Sequence, residues 1–306
     1  MQIVTDISQY DKRPCAATIG SFDGVHKGHI AMLGELRAAA MAKGLPLMVV
    51  TFARHPRMLF GDACAPFLLT PVAAKLQLLE AAGVDICVVL DFDREMAAMS
   101  ASQFMKDVLV ERLGVQLLAV GYDHHFGKPV PGEGLEEYIA IGREMGVEVF
   151  GAQPFMIGDV AVSSTAVRRA LVDGDVAMAE SLSGHPYTLS GTVVHGAGIG
   201  RKLGFPTANI SLDDEMQLLP ADGVYEVDVH ICGEQYKGVM NIGVKPTVSG
   251  KERTIEVYIL EFGGDIYGKD IAVTFVRRLR GEQNFDSVNA LRFQIEVDVA
   301  RVKRGI

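Results

Sequence analysis

The 306-residue chain contains no cysteine pair: Cys15, Cys64, Cys87 and Cys232 are scattered and form no CxxC. A reduced, cytoplasmic protein is the simplest reading of such usage. Cys87 and Cys232 fall in apolar runs and are expected as small core residues. Basic residues are in deficit, with 29 Lys and Arg against 38 Asp and Glu and a formal net charge of −9. General nucleic-acid binding, which needs a broad basic surface, is disfavoured. An anionic small substrate is not, because a local site and a divalent cation can hold it against the overall field. No apolar stretch approaches membrane-spanning length, and the opening MQIVTDISQY has no basic-then-apolar signal pattern. Neither membrane nor export is indicated. Internal repeats and low-complexity segments are also lacking.

What is present is an ordinary globular composition, 49% hydrophobic and 22% charged, in a chain long enough for two domains. From Ala16 to about Gly151, short apolar runs alternate with helical patterns. The runs Ala16–Gly20, Leu47–Phe52, Ile86–Leu90, Leu117–Val120 and Val147–Phe150 read as strands, and helices are predicted near 28–43, 71–82, 100–113 and 135–145. Strands apolar on both faces and separated by helices predict a parallel sheet covered on both sides. Ligands then bind beyond the carboxyl ends of the strands. Thr70 before Pro71 reads as a helix cap with proline at the first helical position, and Ser100 or Ser102 as the next cap. Two short helices follow at 164–171 and 175–182. Beyond Gly184 the pattern becomes glycine-punctuated strands at Tyr187–Val194, Gly223–His230, Gln235–Ile242, Thr254–Leu260 and Ile271–Arg278, closed by a helix over Ser287–Val302. That density predicts a small antiparallel barrel, with the domain boundary near residue 184.

The first strand-to-helix turn reads Gly20-Ser21-Phe22-Asp23-Gly24-Val25-His26-Lys27-Gly28-His29. Glycines let the backbone bend sharply and approach a ligand. His26 and His29 share one side of the incoming helical turn, where backbone N–H groups and the positive dipole end also lie. The arrangement suits a phosphate chain. As zinc ligands the pair lacks a third partner at a useful distance, and a bare HxxH also fits the surface of an ordinary helix start. Thr51–Pro56 follows the second strand and fits a loop in which proline ends that strand. Gly121–Lys128 follows the fourth and is not a Walker A loop, because Pro129 stands where Ser or Thr is required. In Val162–Arg168, hydroxyls at a helix start and the Arg168 fork suit phosphate oxygens, a plain Ser/Thr cap being the alternative. In the second half, Gly196–Gly200 opens like a dinucleotide fingerprint, but Arg201 takes the third glycine's place and no βαβ unit surrounds it. Glu256 stands in an otherwise apolar strand, as a barrel's solvated face or as a chemical group.

The string GSFDGVHKGH resembles the HxGH-type signature of nucleotidyltransferases, and more narrowly the GxFDGVHxGH form of bacterial bifunctional riboflavin kinase/FAD synthetases. Thr51–Pro56 is similar to that family's FxPHP-like loop, with Arg54 for the middle proline. Gly121–Lys128 is similar to its GxDFxFG loop, with His124 and His125 departing. Val162–Arg168 is similar to its SSTxxR segment, while Phe67-Leu68-Leu69-Thr70 lacks the usual arginine before Leu-Thr. Gly200–Asn209, GRKLGFPTAN, closely resembles the flavokinase GRxLGFPTAN signature. The resemblance covers nearly the full length through several motifs in order.

It implies an α/β protein with an N-terminal Rossmann-like nucleotidyltransferase domain over 1–184 (FMN adenylyltransferase). A C-terminal small antiparallel β-barrel riboflavin kinase domain with a terminal helix follows over 185–306. The implied chemistry is phosphorylation of riboflavin by ATP to FMN, then adenylylation of FMN by a second ATP, giving FAD and pyrophosphate. A flavin-binding sensor or store that kept the folds without the chemistry is the alternative. For adenylylation the resemblance points to His26 and His29, with Gly20, Phe22, Asp23, Gly24, Asp123, Ser164, Thr165 and Arg168 around the nucleotide and FMN phosphates. For the kinase it points to Glu256 as base, Thr207 and Asn209 for Mg²⁺, Gly198, Gly200 and Lys202 for ATP, and Arg280 and Phe285 for the flavin. The expected partners are riboflavin, FMN and ATP, with neither nucleic acid nor membrane.

Overall fold

The apolar runs of the first half form one sheet. The computed structural model describes residues 1–59, 67–122, 126–127, 134–196, 198–247 and 250–305. Its strands β1 (Gln2–Val4), β2 (Cys15–Ile19), β3 (Leu47–Phe52), β4 (Ile86–Leu90), β5 (Val115–Val120) and β6 (Glu148–Gly151) lie in the order β1-β4-β3-β2-β5-β6, with every pair parallel. Side chains alternate between two cores. Cys15, Ala17, Ile19, Met48 and Val50 enter one, while Ala16, Leu47, Val49 and Cys87 enter the other. Burial on both faces is why these runs are apolar throughout. The helices are α1 (Lys27–Ala42), α2 (Val72–Ala81), α3 (Arg94–Ala98), α4 (Ala101–Gln103) and α5 (Leu135–Met145).

Several features depart from the sequence pattern. β1, not foreseen, pairs with β4 from Gln2–Ile86 to Val4–Val88. The helix expected over 100–113 is short α4, capped by Ser100 in a capping box with Gln103, running on into a π-helical stretch at Phe104–Val110. Thr70 does not cap α2. Pro71 holds the cap position without a side-chain bond, and the Thr70 hydroxyl instead accepts the Gly24 N–H at 2.9 Å.

From β2 the chain passes to β3 and β4 on one side of the sheet, then returns to β5 on the other. Strand order thus reverses between β2 and β5, and the crevice beyond the carboxyl ends at such a point is where open α/β sheets take ligands. The Gly20–His26 turn leaves β2 there.

After the small hairpin β7 (Met156–Ile157) and β8 (Val160–Ala161) come α6 (Ser164–Val172) and α7 (Val176–Ser183). The remaining elements are β9 (Thr188–Val194), α8 (Ile199–Leu203), β10 (Ala208–Leu212), β11 (Gly223–Ile231), β12 (Glu234–Thr247), β13 (Gly250–Ile259), β14 (Asp270–Arg280) and α9 (Val288–Arg304). The strands close into an antiparallel barrel, β10-β13-β12-β11-β14-β9. β10 is the strand that the sequence pattern did not show. Cys232 is exposed in the turn joining β11 and β12, with φ of 53°, and is not the core residue its apolar neighbours imply. Cys64 lies outside the described residues.

The chain divides into two compact units, Met1–Ser164 and Thr165–Ile306. The sequence-based boundary at 184 falls later because α6 and α7 group with the barrel. The Leu171 carbonyl accepts the Ala221 N–H at 2.9 Å and the Asp173 carbonyl accepts from Arg278 at 3.3 Å. Among the described residues, no helix is long and apolar enough to cross a membrane.

Candidate active sites

The Gly20–His29 segment is bent by its surroundings. Phe22 and Val25 hold φ of 48° and 35°, values that cost a non-glycine residue about 1–3 kcal/mol each. Both side chains are fully buried, which fixes the turn. The buried Asp23 carboxylate accepts the N–H groups of Leu69 (2.9 Å) and Thr70 (3.1 Å), and the Asp23 carbonyl accepts the Ser164 hydroxyl at 2.8 Å. Gly24 is held by Thr70 as described. Asp23 therefore fastens the turn from within.

His26 caps α1, its Nδ1 accepting the His29 N–H at 3.3 Å. An accepting Nδ1 leaves the proton of the neutral ring on Nε2, as a donor. The two imidazoles stack with centroids 3.6 Å apart, and Phe22 packs on His29 at 4.7 Å. Gly28 is required by close approach: a Cβ there would lie 3.0 Å from the Val162 carbonyl and 3.1 Å from His26 Nδ1. Gly20 is buried at the end of the strand. Ser164 and the turn thus meet within one unit. Thr165 is exposed and Arg168 half-buried on α6 in the other unit. Asp123 lies outside the described residues, together with His124 and His125.

In the barrel, the Thr207 hydroxyl donates to Glu256 Oε2 at 3.1 Å. Glu256 on β13 is paired in register with Asn209 on β10 and Asn241 on β12, so all three side chains share one face. Two cavities flank this group. One of about 550 Å³ is lined by Arg201, Thr207, Phe262 and Tyr267, and the His195 ring stacks on Tyr267 with centroids 3.8 Å apart. The other, of about 430 Å³, is lined by Thr207, Asn241, Glu256, Tyr258, Arg280 and Phe285. Thr207 borders both.

Arg280 reaches Asp298 of α9 at 2.9 Å and lies 5.7 Å from the Phe285 ring centroid. Gly200 borders the second cavity and touches Thr207; a Cβ there would lie 2.4 Å from the Phe205 carbonyl. Gly198 starts α8 in a left-handed conformation, φ 68°. The Lys202 side chain lies outside what the structure describes.

Comparison with known proteins turns this geometry into a family. Residues 8–166 match the FAD synthetase family and residues 183–306 match the riboflavin kinase (flavokinase) family. A bifunctional riboflavin kinase/FMN adenylyltransferase of Escherichia coli (strain K12) is 44% identical over 296 residues, covering 96% of this chain and 94% of the relative. The chain belongs to this family. The Pseudomonas fluorescens member is 41% identical over 306 residues, covering 99% and 97% of the two chains. A crystal structure described as a macrolide-efflux protein from Streptococcus pneumoniae shares the fold, with a TM-score of 0.87, 31% identity and 98% of each chain covered. That description names a different activity, whereas both matched families name flavin chemistry.

Several residues in these sites carry no role in the sequence reading. Asn241 is a polar residue in an apolar strand, the same cue that marks Glu256. Arg201 lies inside the GRKLGFPTAN string, which by itself assigns it nothing. Lys75 stands in a helical pattern yet is only 6% exposed, bonded to the Ser21 carbonyl at the start of the Gly20–His26 turn. Both families use ATP, which implies a divalent cation. The Thr207 hydroxyl, Asn209 amide oxygen and Glu256 carboxylate form a set of hard oxygen donors, the chemistry such a cation prefers.

Proposed function

We infer that the enzyme makes FMN from riboflavin and FAD from FMN, each step using one ATP. The observation that carries the kinase reading is the position of Thr207 at the wall shared by the two cavities, with its hydroxyl bonded to Glu256 on the side of the second. Such a wall is where a phosphoryl group passes from one substrate to another. The cavity bearing Arg201 and Tyr267 takes ATP, and the cavity bearing Arg280 and Phe285 takes the isoalloxazine ring. Glu256 accepts the proton of the riboflavin 5′-hydroxyl as that oxygen attacks the γ-phosphorus and ADP leaves. Thr207 and Asn209 would hold Mg²⁺, which would supply neutralisation of charge on the transferring group. Gly198, Gly200 and Lys202 are assigned to ATP, Gly200 from a place that also borders the flavin cavity.

Adenylylation needs no protein nucleophile, because the FMN phosphate is already ionised. Its oxygen attacks the α-phosphorus of ATP and pyrophosphate leaves. The protein's task is to align two anions and stabilise the charge gathering on the leaving group. His26, through its Nε2 proton, His29, Ser164, Thr165 and Arg168 are assigned that task, with Gly20, Phe22, Gly24 and Asp123 shaping the nucleotide side and Asp23 holding the turn. The functional halves are 1–184 and 185–306. The cytoplasm, which supplies ATP and keeps thiols reduced, is the proposed location, and the partners are small molecules only.

Incubating pure protein with riboflavin, ATP and Mg²⁺ and separating the products tests the reading. FMN should form first and FAD after it, with one ADP for each riboflavin phosphorylated and one pyrophosphate for each FAD. Bound but unconverted riboflavin would refute it.

A further inference from the structure

Lys75 is nearly sealed from solvent, and its ammonium has three acceptors, each at 3.1 Å: the Ser21 carbonyl, the Thr51 hydroxyl oxygen and the Phe52 carbonyl. The Thr51 hydroxyl itself donates to the Ser21 carbonyl at 3.1 Å. An ammonium has three N–H donors, so the set is complete. Burial lowers the Lys75 pKa, and the Asp23 carboxylate acts in the opposite direction.

The position of these acceptors gives the bond set its meaning. Ser21 opens the strained turn that ends in His26, and Thr51 and Phe52 end β3, the neighbouring strand. Lys75 thus joins the carboxyl ends of β2 and β3 from below. The residues just before α2 hold the same turn through Asp23 and Gly24. One helix and its entry therefore grip the turn at Ser21, Asp23 and Gly24. A hydrophobic residue would fill the space equally well and need no desolvation. The cation is retained where backbone carbonyls at the mouth of the sheet need a common donor.

We propose that Lys75 is a positioning residue for adenylyl transfer: its ammonium, bridging Ser21, Thr51 and Phe52, holds the His26–His29 turn in register with the end of β3. It touches neither substrate nor reacting atoms. The proposal rests on the reading that this turn is the transferase site.

The test compares Lys75→Met, which keeps the stem and removes the three donors, with Thr51→Val and His29→Ala in the full-length enzyme. FMN adenylylation and riboflavin phosphorylation are measured separately, with kcat and KM resolved. For Lys75→Met, kcat of adenylylation should fall roughly 10- to 100-fold, the usual effect of an ångström-scale misplacement, while KM for FMN and ATP moves much less. Thr51→Val, which keeps the ammonium and two acceptors, should give a smaller fall in the same constant. Riboflavin phosphorylation should be unchanged in both.

Unchanged adenylylation kcat in folded Lys75→Met overturns the proposal. So does a rise in KM alone, which would make Lys75 a binding or purely structural group. If Lys75→Met does not fold, Thr51→Val decides, and an unchanged kcat there is equally fatal. If His29→Ala leaves adenylylation intact, the placement of the transferase site fails. If His29→Ala abolishes it while Lys75→Met does not, only the role of Lys75 falls.

Discussion

Glu256 sits between two amides, Asn209 and Asn241, and accepts the Thr207 hydroxyl. Its neighbours across both strands are neutral amides, which do not themselves compensate the carboxylate's charge, as suits a group that must take up a proton. Glu256→Gln keeps the size and removes the proton acceptor. FMN formation should drop by a factor of about 10² or more, while FAD formation from supplied FMN persists. Product analysis with each flavin in turn checks this, and near-normal kinase turnover would remove Glu256 from the chemistry. The parallel expectation for adenylylation concerns His29 and Arg168. Each change to alanine should cost about 10²–10³ in rate by removing a donor to developing negative charge. The double variant should lose less than the product of the two if both grip one phosphate group. Riboflavin phosphorylation should continue in all three, and a joint loss of both activities would make the pair structural.

At the scale of elements, the entry to α2 is where local sequence and tertiary structure disagree. Thr70-Pro71 has the form of a cap, but the Thr70 oxygen is committed to Gly24. Thr70→Val should therefore leave helix content by circular dichroism unchanged. It should cost about 1–2 kcal/mol of stability and reduce adenylylation, as expected for losing an acceptor to a buried donor rather than a helix cap. A fall in helix content would restore the capping role. The same contrast explains what the sequence pattern could and could not show. β2 to β5 were legible because burial on both faces writes itself as an unbroken apolar run, and five barrel strands because glycines punctuate closely spaced strand runs. β1 has three residues and forms through its partner β4, so no periodicity marks it. β10 reads Ala-Asn-Ile-Ser-Leu; only Ile210 is β-branched, and Ala and Asn are poor strand formers, so composition does not mark the strand. The two histidines and Glu256 were assigned as candidates through motifs. Lys75 was not, because a lysine in a helical pattern is by default a solvent residue. Its burial follows from the carbonyls of two distant strand ends, which no local window contains.

For the whole molecule, two expectations separate its halves. Burial raises the thiol pKa of Cys15 to about 12 and of Cys87 to about 11, from an ordinary value of 9.0. Between pH 9 and those values the unfolded chain has released protons that the native state keeps. Stability of the first unit therefore falls as pH rises, by about 1.4 kcal/mol per pH unit for each thiol. Lys75 works the other way: between its lowered pKa and 10.5, the native state has released a proton that the unfolded chain keeps. Two thiols outweigh one ammonium, and calorimetry should show the first unit's transition moving down above pH 9. Replacing Cys15 and Cys87 by alanine should flatten that slope, and an unaltered slope would assign it elsewhere.

The second expectation concerns where the barrel can be cut. The riboflavin kinase family matches from residue 183, yet α6 and the turn after it are bonded to the barrel through Leu171, Asp173 and Arg278. Leu171, Val176, Ala179 and Leu182 are buried on α6 and α7. A fragment starting at Thr165 and one starting at Ser183 both contain Thr207, Glu256, Arg280 and α9, so both should phosphorylate riboflavin and neither should make FAD. They should differ in stability. The shorter fragment lacks the Ala221 and Arg278 partners on α6 and in the turn that follows it, and should melt lower by on the order of 5 °C or more. Equal melting temperatures would show that α6 and α7 add nothing to the barrel. A folded but inactive longer fragment would show that the kinase needs the first unit, and the assignment of each activity to its own half would fail.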